Sequence, residues 1–366
     1  MHSPDLPPVP RGAGADQVLA RYLHLQAGAF LRSLRLHGES GAAGSDAEDA
    51  VGALRCAARR IGGTLHTFRT LLDPTWADQL RAELAWLSGV LAEEHACTAR
   101  LARLLDALAR LCGAHPVPAA RSATGRHEPP GAGGPQDGQG PTGRGALTVG
   151  AARAAALLER QLTLGRTRAH STALQVLGSS RFHAVADAVA VLASEVPLAS
   201  AAAAPGCALA GPAGTAEGRL LEAVTALPLA RAAHPYNAEA LVHGLANASA
   251  GEAQDAPWHQ VRLLLRLHRY AREVLAAGDG TAAADPRLNT ASRALDRHRN
   301  AAEAAAAAAS AARTPRIAPA TAYALGVLHA DQRLEVEAAR FDFQQAWQDV
   351  PPPSGGPKSR QTVSAP

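Results

Sequence analysis

Between residues 75 and 111 one apolar face recurs at helical spacing: Leu80, Leu84, Leu87, Leu91, Leu101, Leu104 and Leu108. A helix of that length exceeds those of most globular domains. It has to be packed along its length, in a bundle or folded on itself as a coiled-coil-like hairpin. The composition agrees. Hydrophobic residues make up 47% of the chain and aromatic residues only 4%. Ala and Leu, both good helix formers, dominate, whereas sheets draw on β-branched and aromatic side chains. The expected class is all-α.

The rest of the chain divides by its Gly and Pro content. Residues 1–15 are Pro/Gly-rich and are expected to be disordered. A helix is predicted over 16–37. A second follows over 51–72, with Ser45 or Asp46 placed to cap it and Asp73-Pro74 to end it. Residues 113–145 are rich in Gly, Pro and Ala and too long for a structureless loop inside a compact domain, so they read as a disordered insertion. Helices are predicted at 147–177 and 179–198, a loop at 200–217, then helices at 218–232, 237–249, 257–277, 287–313 and 317–348. The tail, 349–366, is expected to be disordered. The picture is two antiparallel bundles of long helices, one from about 16–198 and one from about 218–348.

Charge is clustered rather than abundant. The net formal charge is only +4, from 36 basic and 32 acidic residues. In the segment WHQVRLLLRLHRY, His259, Arg262, Arg266 and Arg269 fall on one helical face, and no carboxylate lies between Trp258 and Arg272. The segment 51–72 repeats the device with Arg55, Arg59, His66 and Arg69 on one face and Arg60 beside them. Arg160 and Arg166 lie in a third basic helix, with Arg153, Arg168 and His170. One basic-striped helix in each half suggests an internal duplication. Nearly all the basic residues are Arg, with a single Lys at Lys358. Arg makes bidentate contacts with phosphate, although a high-GC coding composition produces the same bias. His259 could donate a ring N–H to a phosphate or fix a helix contact in the core. The stripes could equally pair with carboxylates of neighbouring helices, such as Glu83, Glu159 or Glu239.

Other chemistries find little support. The four cysteines, Cys56, Cys97, Cys112 and Cys207, form no C-x-x-C, so a disulfide framework or cysteine zinc site is not expected and a reducing cytoplasm is. There is no H-E-x-x-H, P-loop, dinucleotide-binding fingerprint or nucleophile elbow. No metal, no cofactor and no enzymatic activity are expected. The segment RALDRHRN, with Arg293, Asp296, Arg297, His298 and Arg299, reads as a solvated mixed-charge face. The N-terminus has no apolar core of a signal peptide, and no run approaches the roughly 20 apolar residues that span a bilayer.

The two striped segments resemble the signatures of the conserved-histidine α-helical domain (CHAD) family. In the first, Arg55, Arg59 and Arg60 match, while Gly52 stands where the family has His, and Gly62 and His66 stand where Arg is usual. His95-Ala96 occupies the place of an Arg-Asp pair. In the second, His259, Arg262, Arg266, Arg269 and Tyr270 fall in register, with Leu267 replacing a basic residue. The stretch from Ala152 to Phe182 is similar to the family's fourth helix. The resemblance covers about 16–348 and implies two four-helix halves related by a pseudo-twofold axis, with a basic cleft between them. It also implies binding of inorganic polyphosphate by Arg55, Arg59, Arg60, His66, Arg69, Arg160, Arg166, His259, Arg262, Arg266 and Arg269, with a location on cytoplasmic polyphosphate granules. Nonspecific nucleic acid is a further possible partner, contacted through its backbone alone because aromatic residues for stacking are scarce. A helical scaffold whose anion groove has decayed is the competing reading.

Overall fold

The computed structural model describes residues 14–39, 45–113, 143–203, 208–235, 248–279 and 285–348. The expected disordered tail, nearly all of the expected disordered N-terminus and insertion, and most of the helix expected at 237–249, lie outside the described residues; a helix begins at Gly143, inside the expected insertion. Among the described residues the chain is all-helical and forms no strand. The helices are α1 (Ala15–Glu39), α2 (Ser45–Thr67), α3 (Pro74–Leu111), α4 (Gly143–Leu177), α5 (Ser180–Leu192), α6 (Ala210–Thr225), α7 (Leu229–Ala232), α8 (Ala248–Asp279), α9 (Pro286–Ala312) and α10 (Pro319–Gln348).

Local chemistry sets most of these boundaries. Asp73 caps α3: its carboxylate accepts the Trp76 N–H at 2.9 Å, and Pro74 occupies the first turn, where no N–H is needed. Asp285 and Pro286 start α9 in the same way, and the Ser179 hydroxyl caps α5. α3 is one continuous helix rather than a hairpin.

Three boundaries depart from expectation. α8 begins nine residues before position 257 and carries Pro257 inside it. An interior Pro costs about 3 kcal/mol, but Asp255 and Trp258 on either side are both buried and hold the helix through it. α6 begins at Ala210, inside the expected loop. Its Pro212 falls in the first turn, where a missing N–H costs nothing, and Ala213, Leu220 and Val224 bury the helix. α5 stops at Leu192. Beyond it the chain turns extended near Pro197, whose carbonyl accepts the Asp73 N–H, while Ala199 donates to the Leu71 carbonyl.

The cores are not divided by sequence half. One combines α1, α2, the first part of α3, α5 and the α8 residues Ala271 and Val274. A second draws Leu104 and Leu108 from α3, Ala154 and Leu158 from α4, Ala304 and Ala308 from α9, and Leu325 and Leu328 from α10. A third joins α6, α7, α8, α9 and α10 around Trp258 and Phe343. Two glycines permit the tightest approaches. A Cβ on Gly150 of α4 would lie 2.1 Å from the Ala320 carbonyl oxygen of α10. A Cβ on Gly63 of α2 would lie 2.6 Å from the Tyr270 ring of α8. The second approach brings the two basic helices side by side.

Candidate functional site

Where α2 and α8 run side by side, Arg55 and Arg59 of α2, His259, Arg262 and Arg266 of α8, and Arg299 of α9 form a basic cluster whose members act on one another through charge. Burial first, then Arg59 and Arg299, depress the basicity of Arg55. Burial does the same to Arg266, reinforced by Arg262 and Arg59 and opposed by Tyr270 and Asp296. Burial also lowers the His259 pKa, and Arg299 and Arg262 add to that effect against Asp255 and Glu303. Guanidinium groups resist deprotonation, so this crowding appears as repulsion within the site.

The carboxylates at the margin neutralise part of the group. Arg262 Nε donates to Asp296 at 2.6 Å. Arg299 Nε donates to Glu303 at 2.7 Å, and Arg100 reaches the same carboxylate at 3.0 Å. Arg59 and Arg266 have no hydrogen-bond or ion-pair partner among the described residues. Arg55 Nε is buried with no partner. Arg262 and Arg299 are thus paired with carboxylates, while Arg59, Arg266 and Arg55 Nε are unpaired among the described residues.

The other expected residues lie elsewhere. Arg60 points to Glu273, which it meets at 2.9 Å and which also accepts the Tyr22 hydroxyl at 2.8 Å; it ties α2 to α8 and α1. Arg69 is not on α2. It sits in a 3₁₀ turn after the helix ends and grips Asp78 with Nε and Nη2. His66 accepts from Arg81 at the same end of α2. Arg269 donates to the Ser292 hydroxyl at 3.0 Å. Arg160 is exposed on α4. Arg166 lies 3.7 Å from Glu94 in a cleft of about 650 Å³ bounded by α1, α2, α3 and α4. Gly52, Arg55 and His95 also line that cleft, so Arg55 links it to the cluster. Glu48, Asp49 and Glu94 give it mixed charge.

His298 is not solvated. It is fully buried, against the expectation for its segment, and its ring stacks on Trp258 at 5.7 Å and meets His259 edge-on at 5.5 Å. Burial pushes its pKa down to about 4 although Asp255 opposes this. Asp255, also buried, accepts from Arg333 and Arg340 at 2.7 Å each, and Arg340 donates to Glu337 at 2.7 Å. Burial disfavours the Asp255 carboxylate, but its bonds from His298 and Arg333 hold its pKa well below the usual range. This network fastens α8, α9 and α10 together directly beneath His259.

Sequence reasoning missed Arg299 and His298. The signal was available: Leu295, His298, Ala301, Ala302 and Ala305 follow the spacing of one buried helical face, with Arg299 at its edge.

The chain is similar in structure to PptA from Streptomyces chartreusis, with 56% sequence identity and a TM-score of 0.72, over 92% of this chain and all of that one. No match was found among curated proteins. The family model for the CHAD domain matches residues 25–304. The chain belongs to the CHAD-domain family.

Proposed function

We propose that this protein binds inorganic polyphosphate on the cluster of Arg55, Arg59, His259, Arg262, Arg266 and Arg299, without chemically altering it. Membership of the CHAD family and the likeness to PptA support polyphosphate as the ligand. The observation that carries the reading is the pair Arg59 and Arg266. They face each other from two helices, partly buried and unpaired among the described residues, at mutual electrostatic cost. A chain of phosphates removes that repulsion and replaces it with charge-assisted hydrogen bonds, about twice as strong as neutral ones. The contacts need nothing of the ligand beyond repeated negative charge.

Arginine stays protonated throughout the physiological range, so the cluster holds phosphates rather than exchanging protons with them. Nucleic acid is a weaker competitor in this reading, held by its backbone alone. Association with polyphosphate granules in the cytoplasm follows as a consequence. The test is calorimetric titration with long-chain polyphosphate at two salt concentrations. Affinity should fall linearly with the logarithm of salt, as counterion release requires. Absence of binding at low salt would leave a helical scaffold as the function.

A further inference from the structure

A second, separate concavity of about 470 Å³ opens at the far end of α2, between the 3₁₀ turn, the start of α3, α6 and α8. Its cations are Arg69, Arg81 and Arg219, joined by His66, and its floor is Leu264 and Leu267. Leu264 and Leu267 lie on the side of α8 away from Arg262 and Arg266, by about 100–200° of helix rotation. The concavity is therefore not a continuation of the central cluster. Asp78 is its one carboxylate, held by both Arg69 and Arg81.

Its donors are arranged for a ligand. Arg81 Nη1 lies 3.1 Å from His66 Nδ1. An arginine can only donate, so Nδ1 accepts and the neutral ring carries its proton on Nε2. Burial, Arg81 and Arg219 all favour this neutral form by lowering the His66 pKa. Arg219 has no hydrogen-bond or ion-pair partner among the described residues. The Thr67 hydroxyl is buried without one.

We infer that this concavity is a second anion site, which takes a compact phosphate group: free orthophosphate or pyrophosphate, or the end of a phosphate chain. Arg219 and the His66 Nε2–H are its principal donors. Asp78 limits the ligand's length. A polyanion running straight through would set a phosphate against that carboxylate, whereas a terminal group stops at Arg219. The inference does not depend on polyphosphate binding at the central cluster.

The test is titration of the full chain with pyrophosphate at low salt, comparing wild type with Arg219→Ala, Arg219→Lys and Arg59→Ala/Arg266→Ala. Arg219 is exposed, so its removal leaves the fold in place. Loss of one charged hydrogen-bond partner should weaken pyrophosphate binding about tenfold or more in Arg219→Ala. Arg219→Lys should retain part of the affinity, and pyrophosphate should still bind the Arg59→Ala/Arg266→Ala variant, with binding that Arg219→Ala in that background removes. Pyrophosphate binding that survives Arg219→Ala unchanged, or no binding to wild type, would overturn the inference. Orthophosphate and short-chain polyphosphate on the same variants separate the sources: a site for chain ends gains affinity from orthophosphate to the short chain, and a site for the free ion does not. Wild type that binds pyrophosphate but not long-chain polyphosphate would refute the central-cluster reading alone.

Discussion

α8 carries the closer match to the basic stripe and α2 the more interrupted one, yet in the folded protein α2 holds more of the unpaired charge. On α8, Arg262 is spent on Asp296 and Arg269 donates to Ser292, which leaves Arg266. On α2, glycine stands at 52 and 62, but Arg55 Nε is buried without a partner and Arg59 has none among the described residues. The helices also differ in how they are held. α8 is rooted through Asp255 in a fully buried ionic network, while α2 rests on apolar packing, the close approach at Gly63 and one half-buried ion pair, Arg60 to Glu273. A stripe in sequence counts charges; only the fold shows which remain available to a ligand.

The largest expected effect tests the root of α8. Asp255→Ala leaves Arg333 and Arg340 buried without their shared acceptor, and should cost about 3–5 kcal/mol of stability in denaturant unfolding. A loss below about 1 kcal/mol would show that α8 does not depend on this buried network.

The next effect separates the helices by pH. His298 has a folded pKa near 4 against an ordinary value of 6.5. The unfolded chain therefore binds more protons between those values, and stability is fully present above pH 6.5 and falls as pH drops toward 4. The loss amounts to about 3 kcal/mol for a group so buried. Asp255, with its depressed pKa, adds a further loss below the ordinary carboxylate range. Unfolding curves at pH 4.5 and 7 should show this slope in the wild type and a flatter one in His298→Gln.

Smaller effects sharpen the charge comparison. Asp296→Asn should release Arg262 and raise polyphosphate affinity about threefold, the scale of a partly exposed ion pair. Unchanged affinity would mean that Arg262 does not reach the ligand. Gly62 lies in the interior of α2, and a Cβ there would meet nothing within 4 Å. Gly62→Arg should stabilise the protein by up to about 1 kcal/mol through helix propensity alone and add a cation to the weaker stripe. A thermal melt and a binding titration read both. A lower melting temperature would show that α2 has no room for the longer side chain.

Helical class, the break at Asp73-Pro74 and the two basic helices were legible because each has a local cause: period, a Pro that cannot continue a helix, or clustered residue type. Pairing was not. Asp296, which neutralises Arg262, lies on the next helix, and Glu273, which removes Arg60 from the cluster, lies more than 200 residues away in the chain. Arg69 left the stripe because α2 ends at Thr67, a boundary set by packing of Phe68 and Leu71 rather than by a local signal. His298 was misread because the four exposed or half-exposed charged residues around it, Arg293, Asp296, Arg297 and Arg299, mask the buried face it shares with Ala294 and Leu295.

The most direct test compares two variants in calorimetric titration with long-chain polyphosphate at low salt. Arg59→Ala/Arg266→Ala removes the unpaired cations and should weaken binding about a hundredfold or more, at about 1.5–3 kcal/mol for each charged contact. Arg262→Ala removes a cation already paired and should weaken it only a few-fold. Equal losses, or a larger loss in Arg262→Ala, would contradict the claim that availability, not the number of arginines in the stripe, makes the site.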